Sequence, residues 1–454
     1  MITLVEPKQQ LVKLWSKPIV KADKRYRLMK YVMRVNHRNR ILLHNVITGQ
    51  LVLLDQKEES LLDSLPITYS ANLEELVSAH FLVTEQFDEH QQVLKMRDVL
   101  RKLNAARHKP IVAYTILPTT GCNARCYYCF EHGIKFVTMT EETADSVIDF
   151  ITANCEGVEV HINWFGGEPT LAANRIDQIC KGLHRNGIRF QSSMVTNGYL
   201  LDEEMVFKSK NLWNLYHVQI SVDGTELTSN YIKDFVNVKE NPYKRVFHNI
   251  GLLISNDIRV SLRMNFDVKN ADEFGDLVNE VLERFQGTKL LDIYATPVLG
   301  AHKDKNGKVC HGDDKWLEGK IVELNNLARI ANIAKSIQSL PFLRFTGCSA
   351  EDDSYTQIGP DGSLARCLEL FGKGYDVGSV YDGITDANRY QSWKTIADYD
   401  KCINCIYFPY CVKMKNCPAG DRCYHLDRNL QMEASVCKEL DMFFEREGVK
   451  HGVS

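Results

Sequence analysis

The sequence predicts an α/β protein whose largest part is a partial (β/α)6 barrel. The first observation behind this prediction is that six β-rich runs alternate with amphipathic helical stretches between residues 111 and 335. Strands and helices alternating in series form a parallel sheet or barrel, with functional loops after the carboxyl ends of the strands. The second is the distribution of the 14 cysteines: none precedes Cys122, and eight lie between Cys348 and Cys437. We therefore expect a cysteine-rich domain after the barrel.

The chain is longer than one average domain, and its patterns divide it into four segments. Residues 1–95 are predicted to form a winged-helix-like module, followed by a polar linker helix over residues 96–110. Residues 111–335 form the predicted barrel. Residues 336–454 form the predicted cysteine-rich domain, which ends in a helix.

Composition excludes several classes of protein. Hydrophobic residues make up 44% of the 454 residues and charged residues 25%, which is typical of globular rather than disordered or fibrous proteins. The net charge of −3 provides no positive field to recruit nucleic acid or an anionic membrane. No apolar run approaches the roughly 18 residues that a membrane span needs, and the first residues lack the apolar core of an export signal. We expect a cytoplasmic protein.

Turn signals and short amphipathic runs predict the elements of the N-terminal module. The residues His37, Arg38 and Asn39 separate two β-rich runs and indicate a hairpin. A second turn is expected at Thr48-Gly49, before an apolar strand. The remaining predicted elements are short helices over 58–65 and 72–80, a strand over 81–85 and a connecting helix over 91–109.

The barrel strands are predicted from apolar, β-branched runs, and the helices from apolar spacing at three to four residues. The strands are expected at 111–117, 158–165, 188–195, 216–222, 259–266 and 290–298. The helices are expected at 141–154, 174–186, 202–210, 244–255 and 272–285. Cys155 and Cys180 fall within helical patterns and are expected to be small core residues.

A loop with three cysteines follows the first predicted barrel strand. Cys122, Cys126 and Cys129 have the spacing Cx3CxxC, so three thiolates can ligate three irons of a [4Fe–4S] cube and leave the fourth iron open. Zinc is the alternative metal, but a zinc site normally recruits a fourth protein ligand. This loop, with Tyr128 before its last cysteine, resembles that of the radical S-adenosylmethionine (SAM) enzymes.

Further segments match that superfamily in the expected order over residues 111 to about 300. The resemblance implies SAM contacts at the ends of the second to sixth strands. Glu168 would pair with the SAM ammonium, while the glycines before it let the backbone approach a ligand closely. The full set of expected SAM contacts is Tyr128, Gly166, Gly167, Glu168, Thr196, Asn197, Ser221, Asp223, Arg263 and Val298. Arg263 and Val298 are equally compatible with a structural ion pair or a packing role.

The C-terminal cysteines resemble the SPASM domain, the auxiliary-cluster extension of peptide-modifying radical SAM enzymes. The matching order is Cys348-x13-Gly362-x4-Cys367, then Cys402-x2-Cys405-x5-Cys411, then Cys417 and distal Cys437. The spacing between Cys411 and Cys417 is five residues, where the family usually has three.

The resemblance implies two auxiliary clusters, and thus three [4Fe–4S] clusters in all. Cys402, Cys405, Cys411 and Cys437 would ligate the distal cluster. Cys348, Cys367 and Cys417 would ligate the cluster nearer the active site, leaving one iron open unless Cys423 closes it. Cys310 is an incidental thiol, a mobile catalytic thiol or a further ligand.

The N-terminal module resembles the recognition element of pathways that modify ribosomally made peptides. Such an element would bind the leader of a precursor peptide by strand addition to a sheet edge. A DNA-binding winged helix and a purely structural cap are the alternatives, and the first lacks a strongly basic recognition helix.

The resemblance implies a peptide maturase that cleaves SAM to a 5′-deoxyadenosyl radical, with electrons from a flavodoxin- or ferredoxin-type donor. Thioether formation at a peptide Cys is the expected reaction. Carbon–carbon crosslinking, epimerisation and splicing remain open. Formylglycine formation, as in anaerobic sulfatase maturases, is less favoured, because those enzymes carry an Asp where Leu368 follows Cys367. The non-enzymatic alternative is an iron–sulfur electron carrier or scaffold.

Overall fold

The computed structural model describes residues 1–15, 23–298, 303, 306–308, 310, 312–334, 340–397, 399–418, 420, 423 and 425–446. Its strands are β1 (Ile2–Val5), β2 (Arg25–Leu28), β3 (Val32–His37), β4 (Arg40–Asn45), β5 (Leu51–Leu53), β6 (Ile67–Thr68), β7 (Leu82–Thr84), β8 (Ala113–Ile116), β9 (Val160–Trp164), β10 (Phe190–Thr196), β11 (Leu215–Ser221), β12 (Arg259–Phe266), β13 (Leu291–Pro297), β14 (Tyr355–Ile358), β15 (Ser363–Ala365), β16 (Gly378–Ser379) and β17 (Gly383–Ile384).

Its helices are α1 (Gln9–Leu14), α2 (Gln56–Asp63), α3 (Glu74–Ser78), α4 (Glu89–Ala105), α5 (Glu141–Asn154), α6 (Ala173–Arg185), α7 (Glu203–Asn211), α8 (Glu226–Lys233), α9 (Pro242–Ser255), α10 (Phe274–Arg284), α11 (Asp314–Ile330), α12 (Ala387–Ser392) and α13 (His425–Arg446). Short 3-10 turns connect several of them. Among the described residues, no helix combines the length and the apolar character needed to cross a membrane.

A parallel sheet forms the centre of the molecule. Strands β8 to β13 lie side by side in sequence order, and each pair runs parallel. Helices α5, α6, α7, α9 and α10 fill the connections, so the predicted alternation of six strands with helices is confirmed. The sequence missed α8, a helix of eight residues after β11.

The apolar core of this part lies between the sheet and its helices. On β9, Val160, Ile162 and Trp164 are buried in that core, whereas the alternate residues His161 and Asn163 are half-buried on the other face. Because successive strand residues point to opposite faces, the inner face of the curved sheet is left polar. Cys155 and Cys180 are fully buried in the same core, as predicted.

The cysteine-rich segment extends this sheet. Strand β14 pairs in parallel with β8, and β15, β16 and β17 follow by antiparallel pairing. These strands are two to four residues long, too short to produce a periodic signal, and they form because β8 offers an unpaired edge. Sequence patterns therefore did not predict them.

The N-terminal residues form two small antiparallel sheets, with orders β1-β5-β4-β3 and β6-β2-β7. The predicted hairpin is present between β3 and β4, and its turn residues Arg38 and Asn39 have positive φ angles of 51° and 57°. The predicted helices correspond to α2, to α3 with the 3-10 turn before it, and to α4. Strands β1, β2 and β6 and helix α1 were not predicted.

The N-terminal module and the cysteine-rich segment share hydrophobic cores. Phe408 and Leu343 are buried in the core formed by α2, α3 and α4. Tyr407 and residues of α13 are buried against the inner residues of β3, β4 and β5. The loop that carries Cys402, Cys405 and Cys411 is thus packed directly on the N-terminal module.

Candidate functional site

The three-cysteine loop follows β8, at the edge of the sheet where the carboxyl ends of the parallel strands meet. Cys122 is exposed, whereas Cys126 and Cys129 are half-buried. The backbone N–H of Cys129 donates to the carbonyl of Cys126 at 3.0 Å, and the N–H of Ala124 donates to the Cys122 sulfur at 3.4 Å. The loop is therefore a tight turn that holds its thiols at one end of the sheet.

Two glycines let the loop after β9 contact the cysteine loop. A Cβ atom on Gly167 would lie 2.2 Å from the carbonyl oxygen of Gly121, directly before Cys122. A Cβ atom on Gly166, whose φ is +125°, would lie 2.2 Å from the carbonyl oxygen of Thr119. Backbone hydrogen bonds from Gly167 and Glu168 to these two carbonyls, at 3.2 and 2.7 Å, close the contact. These glycines have a demonstrable role in positioning the cysteine loop.

Glu168 is fully buried and joins the ends of β9 and β10. Its carboxylate accepts hydrogen bonds from the Thr196 hydroxyl and the Asn197 backbone N–H, both at 2.8 Å, and from the N–H and hydroxyl of Thr170. Burial raises the pKa of Glu168, and these hydrogen bonds oppose the rise. The carboxylate predicted to pair with the SAM ammonium is thus already held by protein donors. The Asn197 amide continues this network to Asn123 in the cysteine loop, at 2.6 Å.

A buried ion pair lies beneath the same loop. The Asp223 carboxylate, fully buried after β11, is 2.8 Å from the ammonium of Lys233 at the end of α8. Lys233 also donates to the Tyr128 hydroxyl at 3.0 Å and to the Ser221 hydroxyl at 2.7 Å. The Tyr128 hydroxyl donates to Asp223. Three of the predicted SAM-contact residues, Tyr128, Ser221 and Asp223, therefore converge on Lys233.

Sequence reasoning did not find Lys233 or Asn265. The Asn265 backbone N–H donates to Asp223 at 2.9 Å, and its amide donates to the Tyr128 hydroxyl at 3.0 Å. Burial alone would lower the pKa of Lys233, but the charges of Asp223 and Cys126 raise it, so the ammonium is retained. The sequence signal that could have pointed to Lys233 is a basic residue in the last turn of the helix that follows the Ser221-Val222-Asp223 motif.

Arg263 lies on the inner face of the sheet, next to Ser221 on the neighbouring strand. Its Nε atom is buried and has no hydrogen-bond partner among the described residues. An unpaired buried donor is costly, so this atom marks a place where a polar ligand would be stabilising. Val298 is nearly buried, and its N–H donates to the carbonyl of Phe266 at 3.0 Å.

Hydrogen-bonded polar side chains line the rest of the inner face. The Ser193 hydroxyl donates to Asn163 at 3.0 Å and lies 3.2 Å from His161 Nε2. The Tyr294 hydroxyl donates to Gln219 at 2.7 Å. Because these groups satisfy one another, the lumen is a polar surface with fixed orientations rather than an apolar pocket.

Six of the eight cysteines between residues 348 and 437 fall into two groups. Cys402, Cys405, Cys411 and Cys423 line one cavity, together with the side chains of Arg97 and Lys413. Burial raises the pKa of the Cys402 thiol, and the neighbouring Cys411, Cys405 and Cys423 add to the rise.

The second group lies beside the β14–β15 hairpin. The N–H of Ala350 donates to the sulfur of Cys348 at 3.5 Å, and the charge of Cys348 contributes to the raised pKa of Cys367, after burial. A Cβ atom on Gly347 would lie 2.0 Å from the carbonyl oxygen of Val412, so this group adjoins the loop of the first. Cys417 is half-buried, and its N–H donates to the carbonyl of Met414 at 3.1 Å.

The donor set of the barrel-mouth loop fits a [4Fe–4S] cluster. Burial raises the pKa of Cys129 to about 11, so metal ligation must displace a proton from this thiol. In the described part of the chain, no three Cys, His, Asp or Glu side chains converge as ligands of a single metal ion. Each of the three thiolates could bind a different iron of such a cube.

Comparison with known proteins identifies this part of the chain. Residues 116–281 match the family model of the radical SAM superfamily, and they form a radical SAM domain. A curated relative, GTP 3',8-cyclase of Clostridium perfringens (strain 13 / Type A), is 25% identical over 268 residues, covering 55% of this chain and 78% of the cyclase. A cysteine-type anaerobic sulfatase-maturating enzyme of Clostridium perfringens (strain ATCC 13124) is 30% identical over 128 residues, which span 25% of this chain and 34% of that enzyme.

Similarity to a solved structure extends beyond this domain. The structure of Streptococcus suis SuiB bound to its precursor peptide SuiA covers 91% of this chain and 100% of SuiB, with a TM-score of 0.51 and 13% identity. At this level of identity the similarity concerns the fold. It includes both the N-terminal module and the cysteine-rich segment.

Proposed function

We propose that this chain, a radical SAM enzyme by its domain at residues 116–281, modifies a ribosomally made precursor peptide by forming thioether crosslinks at its Cys residues. The observation that carries the proposal is the position of the auxiliary cysteines. Strand β14 pairs with β8, so the hairpin between Cys348 and Cys367 is built onto the same strand that precedes the Cys122 loop. Auxiliary redox groups and the SAM site would then face one polar lumen.

The residues at the barrel mouth have distinct roles in this proposal. Bound SAM and its [4Fe–4S] cluster supply a 5′-deoxyadenosyl radical for hydrogen abstraction. Gly166 and Gly167 let the loop after β9 pack against the cysteine loop and hold it in place. The buried ammonium of Lys233 holds Asp223, Tyr128 and Ser221 in position, and the unpaired Nε of Arg263 suits a polar acceptor deeper in the barrel.

The polar inner face would position the peptide and exclude water from it. Its side chains are tied in pairs, such as Ser193 with Asn163 and Tyr294 with Gln219, so they hold their orientation without a ligand. Fixed dipoles around the reacting carbon reduce the reorganisation that a reaction in water requires.

Three [4Fe–4S] clusters are part of the proposal. The Cys122 loop would hold the first, and the two auxiliary groups of cysteines would hold the others. Cys348, Cys367 and Cys417 supply three ligands to the nearer auxiliary cluster, which leaves a coordination position that suits the thiolate of a substrate Cys. A flavodoxin- or ferredoxin-type protein would supply the electrons, and thiols that ligate iron suit a reducing compartment such as the cytoplasm.

The N-terminal module would bind the leader of the peptide at a sheet edge. Strand β3 pairs on one side with β4, and the two-residue turn at Arg38 and Asn39 makes His37–Arg40 a hydrogen-bonded pair. Hydrogen-bonded and non-hydrogen-bonded pairs alternate along β3 and β4. The backbone N–H and C=O groups of Arg34 and Asn36 therefore point away from β4, toward the open edge of β3. An extended leader could pair there with a dissociation constant on the order of micromolar, about −8 kcal/mol.

Formylglycine formation is the second candidate, because a sulfatase-maturating enzyme is among the relatives. The residues after Cys367 argue against it. Leu368–Leu370 form a 3-10 turn there, and an apolar Leu368 occupies the position where the related maturases carry an Asp. Carbon–carbon crosslinking and epimerisation of a peptide use the same radical and are separated from thioether formation only by the product. An iron–sulfur carrier without catalysis would not need the SAM-binding elements.

The test uses the full-length enzyme, reconstituted anaerobically with iron and sulfide and reduced in the presence of SAM. Replacement of Cys122, Cys126 and Cys129 by Ala should remove about four irons per chain and all 5′-deoxyadenosine formation. Cys155→Ala, in the barrel core, is the control and should retain both. An enzyme that binds zinc but no iron, or a triple variant that still cleaves SAM, would refute the proposal.

The reaction type is decided on the product of a Cys-containing precursor peptide. A thioether makes the peptide lighter by two hydrogens per crosslink and blocks alkylation of one Cys. Changing the acceptor Cys of the peptide to Ala should stop crosslinking without stopping SAM cleavage. Loss of two hydrogens with every Cys still alkylated would exclude the thioether and indicate a carbon–carbon bond or desaturation.

The leader site is tested with Asn36→Pro, which removes an outward N–H on an edge strand, where proline is tolerated. Leader affinity should fall at least tenfold, measured by fluorescence anisotropy of a labelled leader, with SAM cleavage unchanged. Val35→Pro, which removes an inward N–H, is not a usable control because it breaks the pairing with β4. The control is Gln56→Pro at the exposed first position of α2, where proline is tolerated, and it should leave leader affinity unchanged.

A further inference from the structure

We propose that Cys423, rather than Cys437, is the fourth cysteine of the distal cysteine site. This inference rests on the proposed function in one respect: it takes that site to hold an iron–sulfur cluster. The spacing of the cysteines along the sequence favours Cys437, whereas their arrangement in space favours Cys423.

The position of Cys423 is the first argument. Cys423 lines the same cavity as Cys402, Cys405 and Cys411, which brings together the four thiols that a closed [4Fe–4S] cluster requires. Cys423 is otherwise exposed, so no apolar packing accounts for its presence on this cavity.

The charges around the cavity are the second argument. A cube held by four thiolates carries a net negative charge in either of its common oxidation states. Arg97, which is almost completely buried, and Lys413 both line the cavity. Two cations beside four thiolates offset this charge, and a buried guanidinium is stabilised by an anion at that position.

Cys437 has different surroundings. It lies on α13, half-buried, beside Val436 and Leu440, which are buried against the N-terminal sheet. The charged groups that act on it are Asp441 and Glu433, one helical turn away on either side. It packs against the same apolar cluster as Cys405 and Cys411 but is not among the described residues that line the cavity. Cys437 thus has the contacts of a residue that packs a helix onto a sheet.

The assignment has a consequence for the nearer auxiliary site. If Cys423 belongs to the distal site, it is not available to close the nearer one. Cys348, Cys367 and Cys417 then remain its three ligands, and a coordination position stays free for a substrate thiolate. The distal site, by contrast, is closed and suited to electron transfer.

The experiment is differential alkylation of the full-length enzyme, followed by peptide mass spectrometry. Iodoacetamide is added anaerobically to the iron- and sulfide-loaded enzyme and to the apo enzyme. Cys423 is exposed, so it should react quickly in the apo enzyme and at least tenfold more slowly in the loaded one. In a loaded Cys402→Ala/Cys405→Ala/Cys411→Ala variant, Cys423 should again react quickly. In a Cys348→Ala/Cys367→Ala/Cys417→Ala variant, it should stay protected.

Two single variants provide a spectroscopic comparison. Cys423→Ala should convert one cluster to a species with a [3Fe–4S] electron paramagnetic resonance signal or lose up to four irons, whereas Cys437→Ala should keep the wild-type iron content and spectrum.

The inference is wrong if loading does not slow the alkylation of Cys423, if protection persists without the three distal cysteines, or if Cys437→Ala alone changes the cluster. Neither readout requires peptide or SAM turnover. Absence of any iron–sulfur absorbance would overturn the proposed function. In that case, slower alkylation of Cys423 after zinc is added would still show that Cys423 belongs to the distal metal site.

Discussion

Arg97 of α4 donates a hydrogen bond to the carbonyl oxygen of Cys411 at 3.1 Å, across 314 positions of the sequence. The same guanidinium donates to the carbonyls of Phe408 and of Pro409. The Tyr31 hydroxyl, in the N-terminal module, donates to the carbonyl of Ile403 at 2.9 Å. Helix α4 and the module together therefore hold the backbone of the loop that presents the distal cysteines.

This arrangement changes how the module can be tested. From the sequence alone, residues 1–95 form a separate module, and deleting it is expected to leave SAM cleavage intact. In the structure, deletion would expose the cores that contain Phe408 and Tyr407 and remove Tyr31, the donor to the carbonyl of Ile403. Point substitutions at the sheet edge are the appropriate test.

We predict that Arg97→Gln destabilises the protein and depletes the distal cluster. The shorter Gln side chain cannot donate all the hydrogen bonds that the buried Arg97 guanidinium gives to several backbone carbonyls. Each buried carbonyl left without a donor lowers the free energy of unfolding by about 1–3 kcal/mol. The free energy of unfolding should fall by at least about 2 kcal/mol, and the iron content by up to about four per chain. Urea unfolding and iron analysis measure these effects, with exposed Arg107→Gln as the control. Wild-type iron content in Arg97→Gln would contradict the prediction.

Gly167→Ala should displace the cysteine loop. The added Cβ would lie 2.2 Å from the Gly121 carbonyl, a backbone atom that cannot move without moving Cys122. Such overpacking costs about 1–3 kcal/mol. We expect lower iron incorporation at the first cluster and weaker SAM binding, measured by absorbance and calorimetry. Gly319→Ala is the matched control, because its Cβ would meet no atom within 4 Å. Equal behaviour of the two variants would show that the close contact does not constrain the loop.

Lys233→Met should be more harmful than the double variant Asp223→Asn/Lys233→Met. Removing one partner of a buried ion pair leaves an uncompensated charge and costs about 3–5 kcal/mol, whereas neutralising both costs less. Denaturant unfolding measures the stability, and calorimetry should show at least tenfold weaker SAM binding for Lys233→Met. Lys208→Met, which breaks a surface pair with Glu204, should cost less than about 1 kcal/mol. A double variant as unstable as Lys233→Met would mean that the pair is not the source of the loss.

The N-terminal module should lose stability as the pH falls from about 6.5 to 4. Burial lowers the pKa of His44 to about 4 and that of His80 to about 4. Below the pKa of an unfolded histidine, near 6.5, the unfolded chain binds protons that the folded chain does not, so each buried imidazole weakens folding by up to about 1.4 kcal/mol per pH unit. Urea midpoints at pH 7.5, 5.5 and 4.5 measure this slope. His44→Gln should reduce it and exposed His248→Gln should not; identical slopes for all three proteins would contradict the assignment.

The sequence by itself determined the features that depend on neighbouring residues. Apolar alternation predicted the strands from β8 to β13, and the spacing of Cys122, Cys126 and Cys129 predicted the metal loop, because both are local patterns. It also predicted that Glu168 and Asp223 belong to the site. Only the tertiary structure showed what these carboxylates contact: Glu168 is held by Thr196 and Asn197, and Asp223 by Lys233.

Other features were decided by contacts between distant parts of the chain. Strand β14 exists because β8 has a free edge, and its few residues carry no signal of their own. The Cys411 loop is held by Arg97, and Cys423 reaches the distal cavity, through packing that brings together residues far apart in sequence. Cysteine spacing limits which sulfurs can meet within one loop, but hydrogen bonds and buried apolar surface select which loops meet.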